Sequence, residues 1–278
     1  MLAKQRQARI LEEVQRSGWA RVTDLTGLLG VSDMTVRRDL DQLAATGAVQ
    51  KVHGGAVLPT ASSEEPGFAA KAALELPAKS AIAAKAATLV KPGSAIAISA
   101  GTTTWGLAEY VASVPGLTIV TNSTTVADVI ANSGNAAKDQ VVILTGGMRT
   151  PSAALVGPVA DAALRSLHVD QLFLGVHGMD PDAGFTTPNL AEAQTNRALI
   201  TGANQIVVCA DSTKWGSVGL ASFAPLSAAD VLITDNGLPA DARAELADAV
   251  GELQIVDVSR VGDDSSERHG DDLPHAQA

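Results

Sequence analysis

Two adjacent arginines, Arg37 and Arg38, lie in a segment whose spacing could bring them to a nucleic acid. The segment reads Val31-Ser-Asp-Met-Thr-Val-Arg-Arg-Asp-Leu40. If Ser32 caps a helix here, the later apolar residues fall on its inner side and both arginines on its outer side. Guanidinium groups bind phosphates and guanine edges, so the pattern is typical of a helix that enters a DNA major groove.

The residues expected to contact DNA lie on this helix and on the hairpin after it. Two short β-prone runs at 49–52 and 56–58 flank His53-Gly-Gly, which predicts a wing lying along the duplex. The alternative is that Arg37 only forms a surface ion pair with Asp41, four residues on. The cap, the short turn and the glycine wing favour DNA. The predicted DNA contacts come from Ser32, Asp33, Thr35, Arg37, Arg38, Lys51 and His53.

A second motif, Ser99-Ala-Gly-Thr-Thr-Thr104, follows one predicted strand and opens a predicted helix. Gly101 allows a ligand close to the backbone, and Thr102, Thr103 and Thr104 add hydroxyl groups to the free amides of a helix start. This combination suits an anion, with phosphate the natural choice. The alternative is an ordinary helix cap.

Other polar groups follow further predicted strands, and ligands of open parallel sheets bind beyond the carboxyl ends of the strands. Each of these groups alone could serve a turn, a cap or a surface ion pair. Together they predict one pocket at this edge of the sheet. The candidate effector ligands outside the threonine motif are Asn122, Gly146, Gly147, Arg149, His177, Asp180, Glu192 and Lys214.

The elements that must position these groups divide into two domains. Three helices, at about 3–16, 24–29 with a cap at Thr23, and 33–45, and the hairpin form a winged helix-turn-helix in residues 1–58. Residues 59–76 read as a linker and connecting helix. Alternating apolar strands and helices in 77–258 predict a Rossmann-like, mostly parallel α/β domain. Residues 259–278 read as a disordered acidic tail.

Charge and composition limit the function classes. The net charge is −10, but residues 1–58 hold eight Lys/Arg and six Asp/Glu, a net charge of +2 that leaves −12 for the remainder. That asymmetry fits one small domain that touches phosphates. The single cysteine, Cys209, is expected to be a buried apolar residue in a reducing compartment. No signal peptide, membrane span, metal site or cofactor is expected, and the chain is predicted to be cytoplasmic.

The helix segment, followed by Val-His-Gly-Gly-Ala at 52–56, resembles the DeoR family of bacterial sugar-catabolism regulators. The resemblance covers residues 1 to about 258. It implies a winged helix-turn-helix, a sugar-phosphate effector and usually a repressor role. Thr35, Arg37 and Arg38 match the family's most characteristic recognition-helix positions.

The second domain resembles the sensor domain of the same family, which is similar to ribose-5-phosphate isomerase. By that resemblance Thr102–Thr104 bind phosphate, and Lys214 and Asp180 lie near the sugar. Two residues differ from the family pattern. His177 stands where an Asp or Asn is common, and Lys71 stands where an Arg often begins the connecting helix.

These observations predict a DNA-binding regulator with no catalytic residue, most simply a repressor of a carbohydrate-catabolism operon. A phosphorylated sugar is expected to release it from double-stranded operator DNA. A homodimer or homotetramer is expected on the DNA. The alternatives are a sugar-phosphate isomerase, with Asp180, Glu192 and Lys214 as acid–base groups, and a phosphate-binding module that has lost DNA binding.

Overall fold

The computed structural model describes residues 2–17, 19–46, 48–52, 54–57, 67–134 and 139–258. In its N-terminal part, apolar residues at helical spacing produce three helices around one small core. Ile10, Leu25, Val36 and Leu40 are almost completely buried there. The helices are α1 (Ala3–Ser17), α2 (Val22–Leu29) and α3 (Asp33–Ala45).

The turn between α2 and α3 is built as its sequence predicts. Gly30 ends α2 with a left-handed φ of 63°, and its N–H donates to the Thr26 carbonyl. Ser32 then caps α3, because its Oγ accepts from the Thr35 N–H. The predicted cap at Thr23 is wrong. Helix α2 begins at Val22 after Arg21, which makes no side-chain cap, so Thr23 lies inside the first turn.

The wing contains one strand more than the predicted hairpin. Strands β2 (Gln50–Val52) and β3 (Gly55–Val57) are antiparallel, and β1 (Trp19–Arg21) pairs with the other edge of β3. The fit between β1 and β3 is close: a Cβ on Gly55 would lie 2.3 Å from the Ala20 carbonyl oxygen. His53, and residue 58 of the predicted run, lie outside the described residues.

The larger domain is a parallel sheet of seven strands in the order β15-β14-β12-β9-β4-β5-β6. Every neighbouring pair is parallel, which confirms the predicted α/β class. The strands are β4 (Ala95–Ile98), β5 (Thr118–Thr121), β6 (Val141–Leu144), β9 (Val169–Gly175), β12 (Ala203–Cys209), β14 (Val231–Asp235) and β15 (Leu253–Val256).

Helices cover both faces of this sheet because successive strand side chains alternate between two cores. Phe173 points to the core beneath α5, α6 and α7, whereas Leu172 and Leu174 point to the core beneath α8, α9 and α10. A short helix, α4 (Phe68–Ala72), precedes them. The others are α5 (Leu76–Ala87), α6 (Thr102–Val111), α7 (Thr124–Asn132), α8 (Pro158–Arg165), α9 (Leu190–Thr201) and α10 (Ala240–Ala249).

Two small antiparallel sheets were not predicted from the sequence. Strands β7 (Met148–Arg149) and β8 (Leu155–Val156) form a hairpin. Strands β10 (Gly178–Asp180), β11 (Gly184–Thr187) and β13 (Ala221–Ala224) form a three-stranded sheet beside the main one. Both small sheets lie in connections that leave the carboxyl ends of main-sheet strands.

Cys209 ends β12 in the middle of the larger domain. Its side chain is buried, as predicted, and burial raises the pKa of the thiol to about 12. Within the described part of the chain, no helix is long and apolar enough to cross a membrane.

Candidate functional site

The outer face of α3 presents polar and cationic groups at the start of the helix. Ser32, Asp33, Arg37 and Arg38 are exposed and Thr35 is half-buried. The inner face packs on α1 and α2 through Val36 and Leu40. This face orientation is the one that the sequence predicts for a DNA-reading helix.

The two arginines of α3 differ in their surroundings. The Arg37 Nε donates to Asp33 Oδ1 at 2.5 Å. The ion-pair partner of Arg37 is thus Asp33, four residues before it, and not Asp41, four residues after it, which the alternative interpretation of the sequence named. This bond is the main cause that raises the pKa of Arg37. Among the described residues, Arg38 has no hydrogen bond or ion pair. Arg38 is therefore the guanidinium of α3 most available to a base edge or phosphate.

Met34 is a candidate that the sequence reasoning missed. Its side chain is 81% exposed in the first turn of α3. An apolar side chain on a recognition helix can contact the methyl group of thymine, so exposure at this position has a use. Of the wing candidates, Lys51 belongs to β2, but its side chain and all of His53 lie outside what the structure describes.

A cleft lies beyond the carboxyl ends of the central strands, where the sequence predicts a pocket. Seven predicted residues line it: Gly101, Thr102, Thr103, Asn122, His177, Glu192 and Lys214. Residues that were not predicted complete the lining, chiefly Lys71, Ser152, Thr187 and Asn196. The missed residues come from α4, α9, the unpredicted strand β11 and a short connection, none of which follows a predicted strand of the main sheet.

Helix α6 points its N-terminus into the cleft. Gly101 precedes the helix and makes no side-chain cap, so the first amides face outward without an intrahelical acceptor. Thr102 and Thr103 lie in this first turn and line the cleft. Thr104 does not line it, because its Oγ1 donates to the Ser99 carbonyl oxygen at 2.8 Å inside the fold.

Lysines from two elements border the same cleft. Lys71 of α4 donates from Nζ to Ser152 Oγ at 2.5 Å. Lys214 lies in a 3-10 turn after β12, with its Nζ 3.9 Å from Asp211 Oδ2. Two ammonium groups beside a helix N-terminus give the cleft a local positive charge that would favour an anion.

Asp211 lies behind Lys214 and is almost completely buried. Its Oδ2 has no hydrogen-bond partner among the described residues, while Oδ1 accepts from the Thr213 N–H at 3.1 Å. Burial opposes ionisation, but the charge of Lys214, the hydroxyl and N–H of Thr213 and the charge of Lys79 together lower the pKa of Asp211. Asp211 does not line the cleft and its Oδ2 faces the Lys214 ammonium, so the carboxylate positions that cation from behind the cleft.

Other polar groups of the cleft are held by the protein. The Asn122 Oδ1 accepts from the Ala100 N–H at 2.9 Å, and its Nδ2 donates to the Leu155 carbonyl at 3.2 Å. The Glu192 carboxylate accepts from the hydroxyl groups of Thr150 and Thr187 at 2.9 and 3.1 Å. Asn122 and Glu192 therefore shape the cleft while their side chains bond the surrounding loops.

Four further candidates lie outside the cleft. Asp180 Oδ1 accepts from two N–H groups of its own turn, those of Asp182 and Ala183. Gly146 and Gly147, with φ of 72° and 117°, make the turn from β6 to β7, and Arg149 is exposed on β7. In each case the strand-end residue builds the connection itself and does not point into the cleft.

Lys79 is buried beneath the cleft, and its charge state predicts a pH dependence of stability. Its Nζ donates to the Lys71 and Leu74 carbonyls at 2.5 and 2.6 Å, and burial lowers its pKa from 10.5 to about 8. The folded chain thus holds this proton less tightly than the unfolded chain. The free energy of unfolding should therefore rise with pH between about 8 and 10.5.

Urea unfolding of the wild type and of Lys79→Met from pH 7 to 10 measures this effect. The wild type should gain stability relative to the variant above pH 8, and the difference should be constant below it. A difference that does not change with pH across this range would show that Lys79 keeps an ordinary pKa.

Comparisons with known proteins match both parts of the chain. Residues 6–62 match the DeoR-like helix-turn-helix domain, and residues 75–236 match the DeoR C terminal sensor domain. The HTH-type transcriptional regulator GlpR of Haloferax volcanii is 37% identical over 250 residues, 90% of this chain and 96% of that protein. The glycerol-3-phosphate regulon repressor of Escherichia coli is 29% identical over 256 residues, 92% and 100% of the two chains.

Among solved structures, a D-ribose-5-phosphate isomerase in complex with phospho-erythronic acid aligns with this chain with a TM-score of 0.36 and 14% sequence identity. The alignment covers 49% of this chain and 52% of the isomerase chain. This likeness is too weak to bear on the chemistry of the cleft.

Proposed function

The chain belongs to the DeoR family of transcriptional regulators, and on this premise we propose that it represses a carbohydrate-catabolism operon until a phosphorylated sugar binds its sensor domain. The observation that carries the proposal is the pairing of two sites in one chain. One is an exposed cationic helix, and the other is a cleft suited to an anion.

Operator binding rests on α3 and the wing. The exposed Arg38 supplies a guanidinium group for a base edge or phosphate, and the remaining DNA contacts are assigned to Ser32, Asp33, Thr35, Arg37, Lys51 and His53. One such helix reads one half-site, so we propose a homodimer or homotetramer whose two-fold symmetry matches the operator. Because the proposed target is DNA, we also propose that the protein acts in the cytoplasm.

Effector binding is assigned to the cleft. The phosphate would lie on the N-terminus of α6, near the Thr102 and Thr103 hydroxyls, with Lys71 and Lys214 on its flanks. The buried carboxylate of Asp211 would hold the Lys214 ammonium in place from behind the cleft. Asn122, His177 and Glu192 would surround this ligand as further parts of the lining. We assign no direct ligand contact to the predicted residues that do not line the cleft, which are Thr104, Gly146, Gly147, Arg149 and Asp180.

The proposed domain limits separate the DNA-binding part of the chain from the effector-binding part. We assign residues 1–58 to DNA reading and 77–258 to sensing, with α4 inside the connecting segment 59–76. Residues 259–278 lie outside the described part of the chain. We assign no catalytic step to the cleft, because the Asp180 carboxylate bonds its own turn and the Glu192 carboxylate already accepts two hydroxyls.

A DNA-binding titration with the region upstream of the chain's own gene tests the proposal. Binding should be sequence-specific and should weaken linearly in log affinity with log salt concentration. The phosphosugar panel is glycerol 3-phosphate, fructose 1-phosphate, glucose 6-phosphate and ribose 5-phosphate. One member should weaken operator binding roughly 5- to 150-fold, the usual range of allosteric coupling.

The matched controls are the same four compounds without phosphate, inorganic phosphate alone, and scrambled DNA. Equal affinity for operator and scrambled DNA would disprove the regulator role. Operator binding that no member of the panel alters, or that the unphosphorylated compounds alter equally, would disprove the phosphosugar role of the cleft.

A further inference from the structure

We propose that an ion pair between Arg21 of the wing sheet and Glu75 at the start of α5 transmits effector binding in the cleft to the DNA-binding domain. The inference rests on the proposed function and deepens it. It assigns two positioning residues, neither of which is assigned to DNA or effector. The Arg21 Nη2 donates to Glu75 Oε2 in this contact.

On the DNA-binding side, Arg21 stands where two elements meet. It is the last residue of β1 and the residue directly before α2. Within the wing it pairs in register with Gly55, where the strands are too close to admit a Cβ. A displacement of Arg21 therefore reaches the wing through β3 and reaches α3 through α2, which packs against it.

On the sensor side, Glu75 occupies a bend between α4 and α5. Its φ and ψ of 52° and 36° are left-handed, a conformation that residues other than glycine adopt infrequently. Such a residue persists where the surrounding contacts hold it, and it is a common feature of switch regions. Its carbonyl accepts from the Lys79 N–H at 3.0 Å, so a change in the contacts of α4 acts on this bend at the first turn of α5.

Helix α4 links this bend to the cleft by two contacts. Lys71 reaches into the cleft and donates to Ser152 Oγ. Phe68 packs edge-on against Trp105, with ring centroids 5.9 Å apart, and Trp105 belongs to α6, whose N-terminus lines the cleft. A ligand anion that attracts Lys71 and sits on α6 would act on both contacts at once.

The buried Lys79 anchors the far side of the same bend. Its Nζ bonds the carbonyls of Lys71 and Leu74, so the end of α4 is tied to α5 immediately before Glu75. A shift of α4 would therefore displace the bend at Glu75, and with it the ion pair to Arg21. The Arg21 side chain is 51% exposed and the Glu75 side chain 14% exposed, so solvent screens the pair from the Arg21 side only.

The experiment measures operator affinity with and without the panel phosphosugar that weakens wild-type binding most. The ratio of the two dissociation constants is the coupling factor. For Glu75→Gln this factor should fall by at least about fivefold. The effector affinity of the free protein should stay within about twofold of wild type, because Glu75 does not line the cleft. The urea midpoint of the variant measures any change in stability separately. Glu245→Gln, an exposed glutamate of α10, is the matched control and should keep the wild-type factor.

Exchanging the charges of Arg21 and Glu75 tests the ion pair in a second, independent experiment. Arg21→Glu alone should lower the coupling factor, and the double variant Arg21→Glu, Glu75→Arg should restore most of it, which a merely structural role would not require. A wild-type factor in both Glu75→Gln and Arg21→Glu overturns the inference. If Glu75→Gln fails to fold, the coupling factors of Arg21→Glu and of the double variant test the inference by themselves. If wild type itself does not bind or respond, the proposed function fails instead.

Discussion

Replacing Arg38 by alanine is expected to lower operator affinity about a hundred-fold and to remove the preference for operator over scrambled DNA. A bidentate arginine contact to guanine contributes about 1–3 kcal/mol of discrimination, and a dimer would lose two such contacts. The side chain is exposed and bonds no described residue, so its removal should leave the fold unchanged. Fluorescence anisotropy over a series of salt concentrations measures both affinity and salt slope.

Arg37→Ala is the informative comparison because it removes the neighbouring guanidinium, which Asp33 already partly neutralises. We expect it to weaken operator binding less than Arg38→Ala does. Arg165→Ala, at an exposed position in the sensor domain, should have no effect. Unchanged specific binding in Arg38→Ala would mean that α3 does not read the operator through this residue.

Thr103→Glu is expected to abolish the effector response while operator binding persists. Thr103 is 6% exposed in the first turn of α6 and lines the cleft. Its replacement would put a carboxylate where we place the phosphate. A charge-assisted hydrogen bond contributes about 1.5–3 kcal/mol, so losing the one from the Thr103 hydroxyl and adding repulsion should weaken effector binding by at least about a hundred-fold. A carboxylate is tolerated at a helix N-terminus, which favours folding of the variant.

Calorimetry with the active phosphosugar and an operator titration test this variant together. Thr103→Ser keeps the hydroxyl group and is the matched control, with binding near that of wild type. Release of Thr103→Glu from DNA by the wild-type effector concentration would place the anion site elsewhere.

The elements that the sequence predicts well are those fixed by neighbouring residues. Ser32, Gly30 and the apolar spacing of α3 act within a few residues, so helix, cap and exposed face all follow from the local pattern. Strand β1 was missed because three residues, Trp19–Arg21, become a strand only by pairing with residues 55–57. The sheet of β10, β11 and β13 depends on equally distant pairing.

In the candidate cleft, too, the residues placed by the local sequence pattern could be predicted, and those placed by distant contacts could not. Thr102, His177 and Lys214 follow strands of a parallel sheet, and the topology brings them to one edge. Asp180 follows the same rule in sequence, yet it bonds its own turn, a choice that no strand-end pattern reveals. Lys71 reaches the cleft from a helix that precedes the whole sheet, so only the three-dimensional fold brings it there.

The burial of Cys209 has a practical consequence for measuring the proposed movement between the DNA-binding domain and the sensor domain. With a thiol pKa of about 12 and a position inside the central sheet, the native cysteine should not react with maleimides at neutral pH. A cysteine introduced on α3 or beside the cleft would then be the sole labelled position in an otherwise unmodified chain. Introducing one cysteine at each of the two places would attach paired dyes or spin labels, and these could follow the distance between the wing and the sensor domain without first removing a native thiol.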